Sequence, residues 1–248
     1  MVLSAHGVAP SVHENAASRG LRTIDATCPL VTKVHVQARR YAAEGYFVIL
    51  IGHAGHEEVV GTMGEIPDSI VLVETIGDVQ ALSFPEETKL AYVTQTTLSV
   101  DETSDMITAL RSRFPAIRAP QREDICYATS NRQWAVKELL PEVDLLLVIG
   151  SKNSSNSNRL VEVANASGVA SHLIDDENEI DERWLEGVRV VGITSGASAP
   201  EKLVMRVCEW FRARGVADIE PHRFVEEDIE FRLPVELRRE LALADAQR

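Results

Sequence analysis

Three groups of residues in this 248-residue sequence carry side chains able to do chemistry. The first is a pair of cysteines, Cys28 in Asp25-Ala-Thr-Cys-Pro-Leu-Val-Thr-Lys-Val-His35 and Cys126 in Glu123-Asp-Ile-Cys-Tyr-Ala-Thr-Ser-Asn-Arg-Gln133. Each stands at a predicted strand-to-helix turn, where a helix N-terminus favours the thiolate that metal binding needs. A lone thiol is most often a small core residue, but two in equivalent settings can share a metal centre. The second group is Gly52-His-Ala-Gly-His-Glu-Glu-Val-Val-Gly-Thr62. Here His56 and Glu58 can bind an anion and deliver a proton, His53 and His56 with Glu58 can build a hydrolytic metal site, or the stretch is a solvated helix start. The third is Gly150-Ser-Lys-Asn-Ser-Ser-Asn-Ser-Asn-Arg159, a run of hydrogen-bonding side chains before a predicted helix over 160–166. Hydroxyls, amides and a helix N-terminus make an anion cradle there without a large charge. A flexible Ser/Asn linker is the competing reading, disfavoured because connections between strands and helices are usually short and ordered. Thr94-Gln-Thr-Thr97, Thr194-Ser-Gly-Ala-Ser198 and Ser4-Ala-His6 add hydroxyls and an imidazole, each also compatible with ordinary helix capping.

The elements that must position these groups repeat. Cys28 and Cys126 stand 98 residues apart, as do Gly52 and Gly150, which close the apolar runs Phe47–Ile51 and Leu145–Ile149. Val93-Thr-Gln-Thr-Thr-Leu-Ser and Val191-Gly-Ile-Thr-Ser-Gly-Ala align at the same offset, matching Thr96 with Thr194, and Cys208 with Leu110 as a core position. The two apolar runs lack alternation and are bounded by glycine, as expected of parallel strands buried on both faces. Helices are predicted over 11–20, 103–114 and 201–215. Alternating strands and helices imply βαβ units, with ligands in loops beyond the carboxyl ends of the strands. Val2-Leu-Ser-Ala-His-Gly-Val-Ala-Pro10 resembles Val191–Pro200, so the chain is expected to open near the end of a third unit whose remainder is missing.

The formal net charge of −13 argues against a nucleic-acid or anionic-membrane surface but leaves room for a local anion site. No apolar run approaches the roughly 20 residues of a membrane span. Three cysteines form neither a finger pattern nor an even disulfide set, and a reducing cytoplasm is the expected location.

Taken in order, Ser-Ala-His-Gly-Val, Asp-Ala-Thr-Cys-Pro-Leu-Val-Thr-Lys-Val-His, Gly-His-x-x-His-x-Glu-Val-x-Gly-Thr-Met-Gly, Thr-Gln-Thr-Thr-Leu-Ser-Val-Asp, Asp-Ile-Cys-Tyr-Ala-Thr, Gly-Ser-Lys-Asn-Ser-Ser-Asn-Ser-Asn-Arg-Leu and Gly-Ala-Ser-Ala-Pro make the chain resemble the LytB-type 4-hydroxy-3-methylbut-2-enyl diphosphate reductases of isoprenoid synthesis. The resemblance implies an α/β fold: a pseudo-threefold arrangement of similar domains with small parallel sheets, the first domain largely missing. The expected division is 1–27 as a remnant of that domain, 28–121 and 122–215 as the second and third, and 216–248 as a tail packing on the first. It also implies a 4Fe-4S cluster on Cys28, Cys126 and a third cysteine from an opening segment with no counterpart upstream of Met1. Glu58 becomes the proton source, with Thr96 on the substrate hydroxyl and Gln95 nearby. His6, His56, Ser154, Ser155, Asn156 and Ser198 become the diphosphate ligands. The implied reaction is a two-electron reductive dehydroxylation giving isopentenyl and dimethylallyl diphosphate, with ferredoxin or flavodoxin as electron donor. The 248 residues as written are expected to hold no stable cluster and to have little reductase activity; the alternative to a reductase is a cluster-deficient remnant that still binds diphosphates.

Overall fold

Strand and helix boundaries follow from where the apolar runs stop. The computed structural model describes residues 1–238 and Leu241. Phe47–Ile51 (β3) and Leu145–Ile149 (β6) are strands with the expected bounds. Each is the middle strand of a three-stranded sheet, and every pairing is parallel. β3 lies between Ile70–Val73 (β4) and Leu90–Thr94 (β5), and β6 between Ala170–Ile174 (β7) and Val191–Ser195 (β8). A two-stranded parallel sheet joins Val2–Leu3 (β1) to Ile24–Asp25 (β2). The chain is therefore α/β with small parallel sheets.

Two compact units contain these sheets. One comprises Met1–Thr96, Asp101–Asp124 and the described residues from Asp228 on; the other comprises Thr97–Val100 and Ile125–Glu227. In the first, the helix Pro29–Ala43 (α2) lays Val34, Ala38 and Tyr41 against Val48 and Leu50 of β3 and Ala91 and Val93 of β5, with Val59 from Glu57–Glu65 (α3) closing the layer. In the second, β6 is covered on both sides. Leu146 and Val148 meet Val136 of Tyr127–Leu139 (α6) and Leu160 and Val163 of Ser155–Ala166 (α7). Leu145, Leu147 and Ile149 meet Val207 and Phe211 of Glu201–Arg212 (α8). Double coverage is why these runs carry no polar alternation. Cys208 is buried on α8, as a core residue.

Four expectations about elements are corrected. The helix expected over 201–215 ends at Arg212. The helix expected over 160–166 begins at Ser155, so half of the Ser/Asn run is its first turn and not loop. The helix expected over 103–114 is Val100–Arg113 (α5). The helix expected over 11–20 is Pro10–Ser18 (α1), with Gly20 following at φ +63. The repeat also changes offset. α3 and α7 start 98 positions apart, but α3 has 9 residues and α7 has 12. From there on equivalent positions differ by 101: Ile51 pairs with Thr94 as Ile149 pairs with Ser195. The partner of Thr96 is thus Ala197, not Thr194, and that of Cys208 is Ile107, not Leu110. The described part of the expected tail, 216–238, is irregular apart from a helical turn at 235–238, and the rest of 239–248 except Leu241 lies outside the described residues. Among the described residues no helix is long and apolar enough to cross a membrane.

The Gly-Thr-Met-Gly of α3 has a packing reason. A Cβ on Gly64 would lie 2.3 Å from Cβ of Ala9, and one on Gly61 would lie 3.2 Å from the backbone of Gly7. These glycines let the segment after His6 cross directly over α3. Gly64→Ala should force that crossing apart and cost about 1–3 kcal/mol in chemical denaturation; an unchanged midpoint would refute the tight approach.

Candidate active site

In the first unit the chemistry-bearing residues gather at the carboxyl ends of β1, β3 and β5. Glu58 is the second residue of α3, placed there by the loop that leaves β3 at Gly52, and is only 1% exposed. Its carboxylate is held by one residue: Thr96 backbone N donates to Oε1 at 2.7 Å and Thr96 Oγ1 donates to Oε2 at 3.0 Å. Burial raises the Glu58 pKa to about 7; the two Thr96 bonds oppose this and the Asp124 carboxylate adds to it. A carboxyl group that exchanges its proton near neutrality, beside a hydroxyl, is suited to donating a proton to a bound substrate.

His56 caps α3, its Nδ1 accepting from Glu58 backbone N at 3.2 Å. The ring hydrogen is therefore on Nε2, which can donate to an anion. Burial holds this imidazole below the usual histidine range, with the neighbouring His6 and His53 adding to the effect. His6 stands edge-on to His56 with centroids 5.3 Å apart. Its Nδ1 is 3.2 Å from Glu57 Oε2, which also accepts from Ser4 Oγ at 2.8 Å. Those contacts, Ser4 first, keep the Glu57 carboxyl below its ordinary range. Gln95 is buried, and its Oε1 accepts from His53 N at 3.1 Å, tying β5 to the turn after β3. The structure thus brings His6, His56, Glu58, Thr96 and Gln95 together.

Cys28 is the N-cap of α2, directly before Pro29, with its backbone N donating to Ala5 O at 2.9 Å. Two residues here escaped sequence reasoning. Lys33 on α2 donates to the carbonyls of Arg122 at 3.2 Å and Glu123 at 2.6 Å and pairs with Asp124 at 3.1 Å. Asp124 in turn accepts from Thr94 N at 3.1 Å, fixing the end of β5 just before Gln95 and Thr96. No local spacing announces a contact spanning 90 positions.

The second unit carries the remaining candidates. Cys126 is the N-cap of α6, its Sγ accepting from Thr129 N at 3.3 Å and lying 3.0 Å from Thr129 Oγ1. Ser154 caps α7, and Ser155 and Asn156 form its first turn. Thr97 Oγ1 donates to Ser155 Oγ at 3.1 Å. Asn156 Oδ1 accepts from Ala197 N at 2.8 Å, bringing the turn that bears the exposed Ser198 against α7. Backbone donors, hydroxyls and an amide at a helix N-terminus are groups that can hold an anion.

Among the described residues no three His, Cys, Asp or Glu side chains are grouped to hold a metal ion. This removes the His53, His56 and Glu58 metal reading: Glu58 gives both oxygens to Thr96, and His53 lies toward Glu74 at 3.9 Å. Cys28 and Cys126 are suitable iron–sulfur ligands in kind, being thiols at helix N-termini, and supply part of the three or four thiolates such a cluster takes.

Comparisons with known proteins show which family the chain resembles. The family model described as LytB protein matches residues 1–212. The chain is 56% identical over 242 residues to the 4-hydroxy-3-methylbut-2-enyl diphosphate reductase of Streptomyces avermitilis, covering 97% of this chain and 72% of that protein. It is 57% identical over 242 residues to the enzyme of the same name from Acidothermus cellulolyticus, covering 97% and 71%. A solved structure, the E-1-hydroxy-2-methyl-but-2-enyl-4-diphosphate reductase from Plasmodium falciparum, superposes with TM-score 0.91 at 36% identity, covering 98% of this chain and 77% of that one. With motifs, fold and matched length in agreement, the chain belongs to the LytB family.

Proposed function

We propose that the chain carries the reductase chemistry of its relatives, acting on (E)-4-hydroxy-3-methylbut-2-enyl diphosphate. The observation that supports this best is the buried Glu58 carboxyl, brought near neutrality and held by Thr96 beside two imidazoles. Cys28 and Cys126, with a third thiolate, would hold a 4Fe-4S cluster, which when bound supplies electrons and a Lewis-acidic iron for the substrate hydroxyl. The donor of those electrons is a ferredoxin or flavodoxin, and the setting is cytoplasmic. His56 Nε2–H, His6, Ser154, Ser155, Asn156 and Ser198 bind the diphosphate. Thr96 Oγ1 orients the allylic hydroxyl, and Gln95 keeps the end of β5 in place. Glu58 gives its proton to the departing hydroxyl, so the C–O bond breaks with loss of water. Two electrons and a second proton reach the allylic carbons, giving isopentenyl or dimethylallyl diphosphate.

A second reading rests on the hydroxyl and amide donors gathered at the start of α7. On that reading the 248-residue polypeptide binds diphosphates without a stable cluster. Anaerobic reconstitution separates the two. About four irons per chain, the content of one cluster, with calorimetric binding of inorganic pyrophosphate is the expected result for the reductase; pyrophosphate binding with fewer irons is the result expected on the second reading. Four irons with the visible absorption of a cluster would refute the second reading, and no pyrophosphate binding would refute both.

A further inference from the structure

Three donors converge on the hydroxyl oxygen of Ser154. Asn156 Nδ2 lies at 3.0 Å, Ser157 Oγ at 3.0 Å and Ser157 backbone N at 3.4 Å. The amide orientation of Asn156 is fixed, because its Oδ1 accepts from Ala197 N at 2.8 Å and only the NH2 side is left for Ser154. A serine oxygen has two lone pairs; the two donors at 3.0 Å, Asn156 Nδ2 and Ser157 Oγ, fill them, and the 3.4 Å backbone contact is the weakest of the three. Its own O–H remains, and that hydrogen must point at an acceptor. Ordinary N-capping uses only the backbone donor; here that contact is the longest of the three.

Ser157 is what makes the arrangement rigid. It is 1% exposed on the first turn of α7. A Cβ on Gly150 would lie 2.2 Å from Ser157 Oγ, and one on Gly196 would lie 2.0 Å from it. Both glycines therefore leave room for this one hydroxyl, at the ends of β6 and β8. A side chain held that tightly has little rotamer freedom, so its hydrogen bond to Ser154 needs little ordering when a ligand arrives.

We infer that Ser157 is a positioning residue of the anion site: it saturates the Ser154 oxygen and turns the Ser154 hydroxyl into a fixed outward donor to a phosphate oxygen. This rests on the reading of Ser154 as a diphosphate ligand. Polarisation along the chain Ser157 to Ser154 to phosphate strengthens the final bond. Neutral donors suit an acidic protein, since they hold an anion without requiring buried lysine or arginine.

A double-mutant cycle on the full 248-residue chain tests this, with inorganic pyrophosphate as the probe and calorimetry as the readout. Ser154→Ala should weaken binding about tenfold or more, as for a lost hydrogen bond to a charged group. Ser157→Ala should weaken it about fivefold in the wild-type background and not at all in Ser154→Ala, because its effect runs through that hydroxyl. Alanine is a strong helix former, and the melting temperature checks that the fold survives. Should Ser157→Ala fail to fold, Ser157→Cys, with a weak S–H donor, carries the same cycle. Equal losses in both backgrounds, or no loss from Ser157→Ala, would overturn the positioning role and leave the Ser154 reading intact. No effect of Ser154→Ala would overturn both.

Discussion

Replacing Glu58 by glutamine should remove a pH-dependent contribution to stability as well as the proposed proton donor. The carboxyl moves from an ordinary 4.5 to about 7 on folding, chiefly by burial. A raised acid pKa means that the native state holds the proton more tightly than the unfolded chain. Its contribution is therefore fully present below pH 4.5 and is lost as pH rises through about 7. At about 1.4 kcal/mol per pH unit the swing is on the order of 3 kcal/mol. Glutamine keeps an acceptor for Thr96 N, and the Thr96 hydroxyl can turn to accept from its NH2 group. Denaturant unfolding at several pH values should give a wild-type stability that falls, relative to the variant, between pH 5 and 8. Titrating groups not coupled to Glu58 are common to both proteins and drop out of the difference, which leaves Glu58 and the smaller contribution of its coupling to Asp124. Parallel curves would show that Glu58 is not a buried acid. In cluster-loaded enzyme the same change should lower turnover about 10²–10⁴-fold, the usual range for a lost general acid.

Lys33→Met should be among the most damaging single changes in the first unit. The Asp124 side chain is completely buried, and Lys33 is its cationic partner as well as the donor to two preceding carbonyls. Methionine keeps an apolar, unbranched stem but leaves a buried carboxylate facing Thr94 N alone. Removing one partner of a fully buried pair costs about 3–5 kcal/mol. Here Lys33 is one-third exposed and burial already raises the Asp124 pKa, so that the carboxyl can take up a proton. The loss should be about 2–3 kcal/mol, still a sizeable share of a typical 5–15 kcal/mol stability. Adding Asp124→Asn should restore most of the loss, because the stranded charge goes with it. A loss near zero for Lys33→Met, or no recovery in the double variant, would mean that the pair contributes little.

Physical pattern decided which features could be read in advance. β3 and β6 were legible to the residue because both faces are covered and every position is apolar. The start of α7 was not, since a helix opened by Ser154, Ser155 and Asn156 has the composition of a loop; these residues favour caps and turns for the same hydrogen-bonding reason. The misaligned third anchor of the repeat has a similar origin. Thr96 and Thr194 are small hydroxyl residues near strand ends, and only the hydrogen-bond ladder shows that Thr94 matches Ser195. In the site, His56 and Glu58 were visible by type. Glu57 could not be told from Glu58 by composition, although one is exposed against Ser4 and His6 and the other buried on Thr96. Ser157 was hidden among identical neighbours, and its partner glycines lie at the ends of two different strands.

The unequal lengths of α3 and α7 show where this architecture is free to vary. Both helices begin at equivalent distances from the end of the central strand, and there His56 and Ser154 act as caps. The three additional residues of α7 are added at the opposite end, before the chain turns back into β7. α7 is thus longer by nearly one turn with the capped rim unchanged. Each βα unit has a conservative end that fixes chemistry and a permissive end that absorbs length. Insertions after Ala166 or Glu65 should be tolerated far better than a single added residue between Gly150 and Ser154 or between Gly52 and His56.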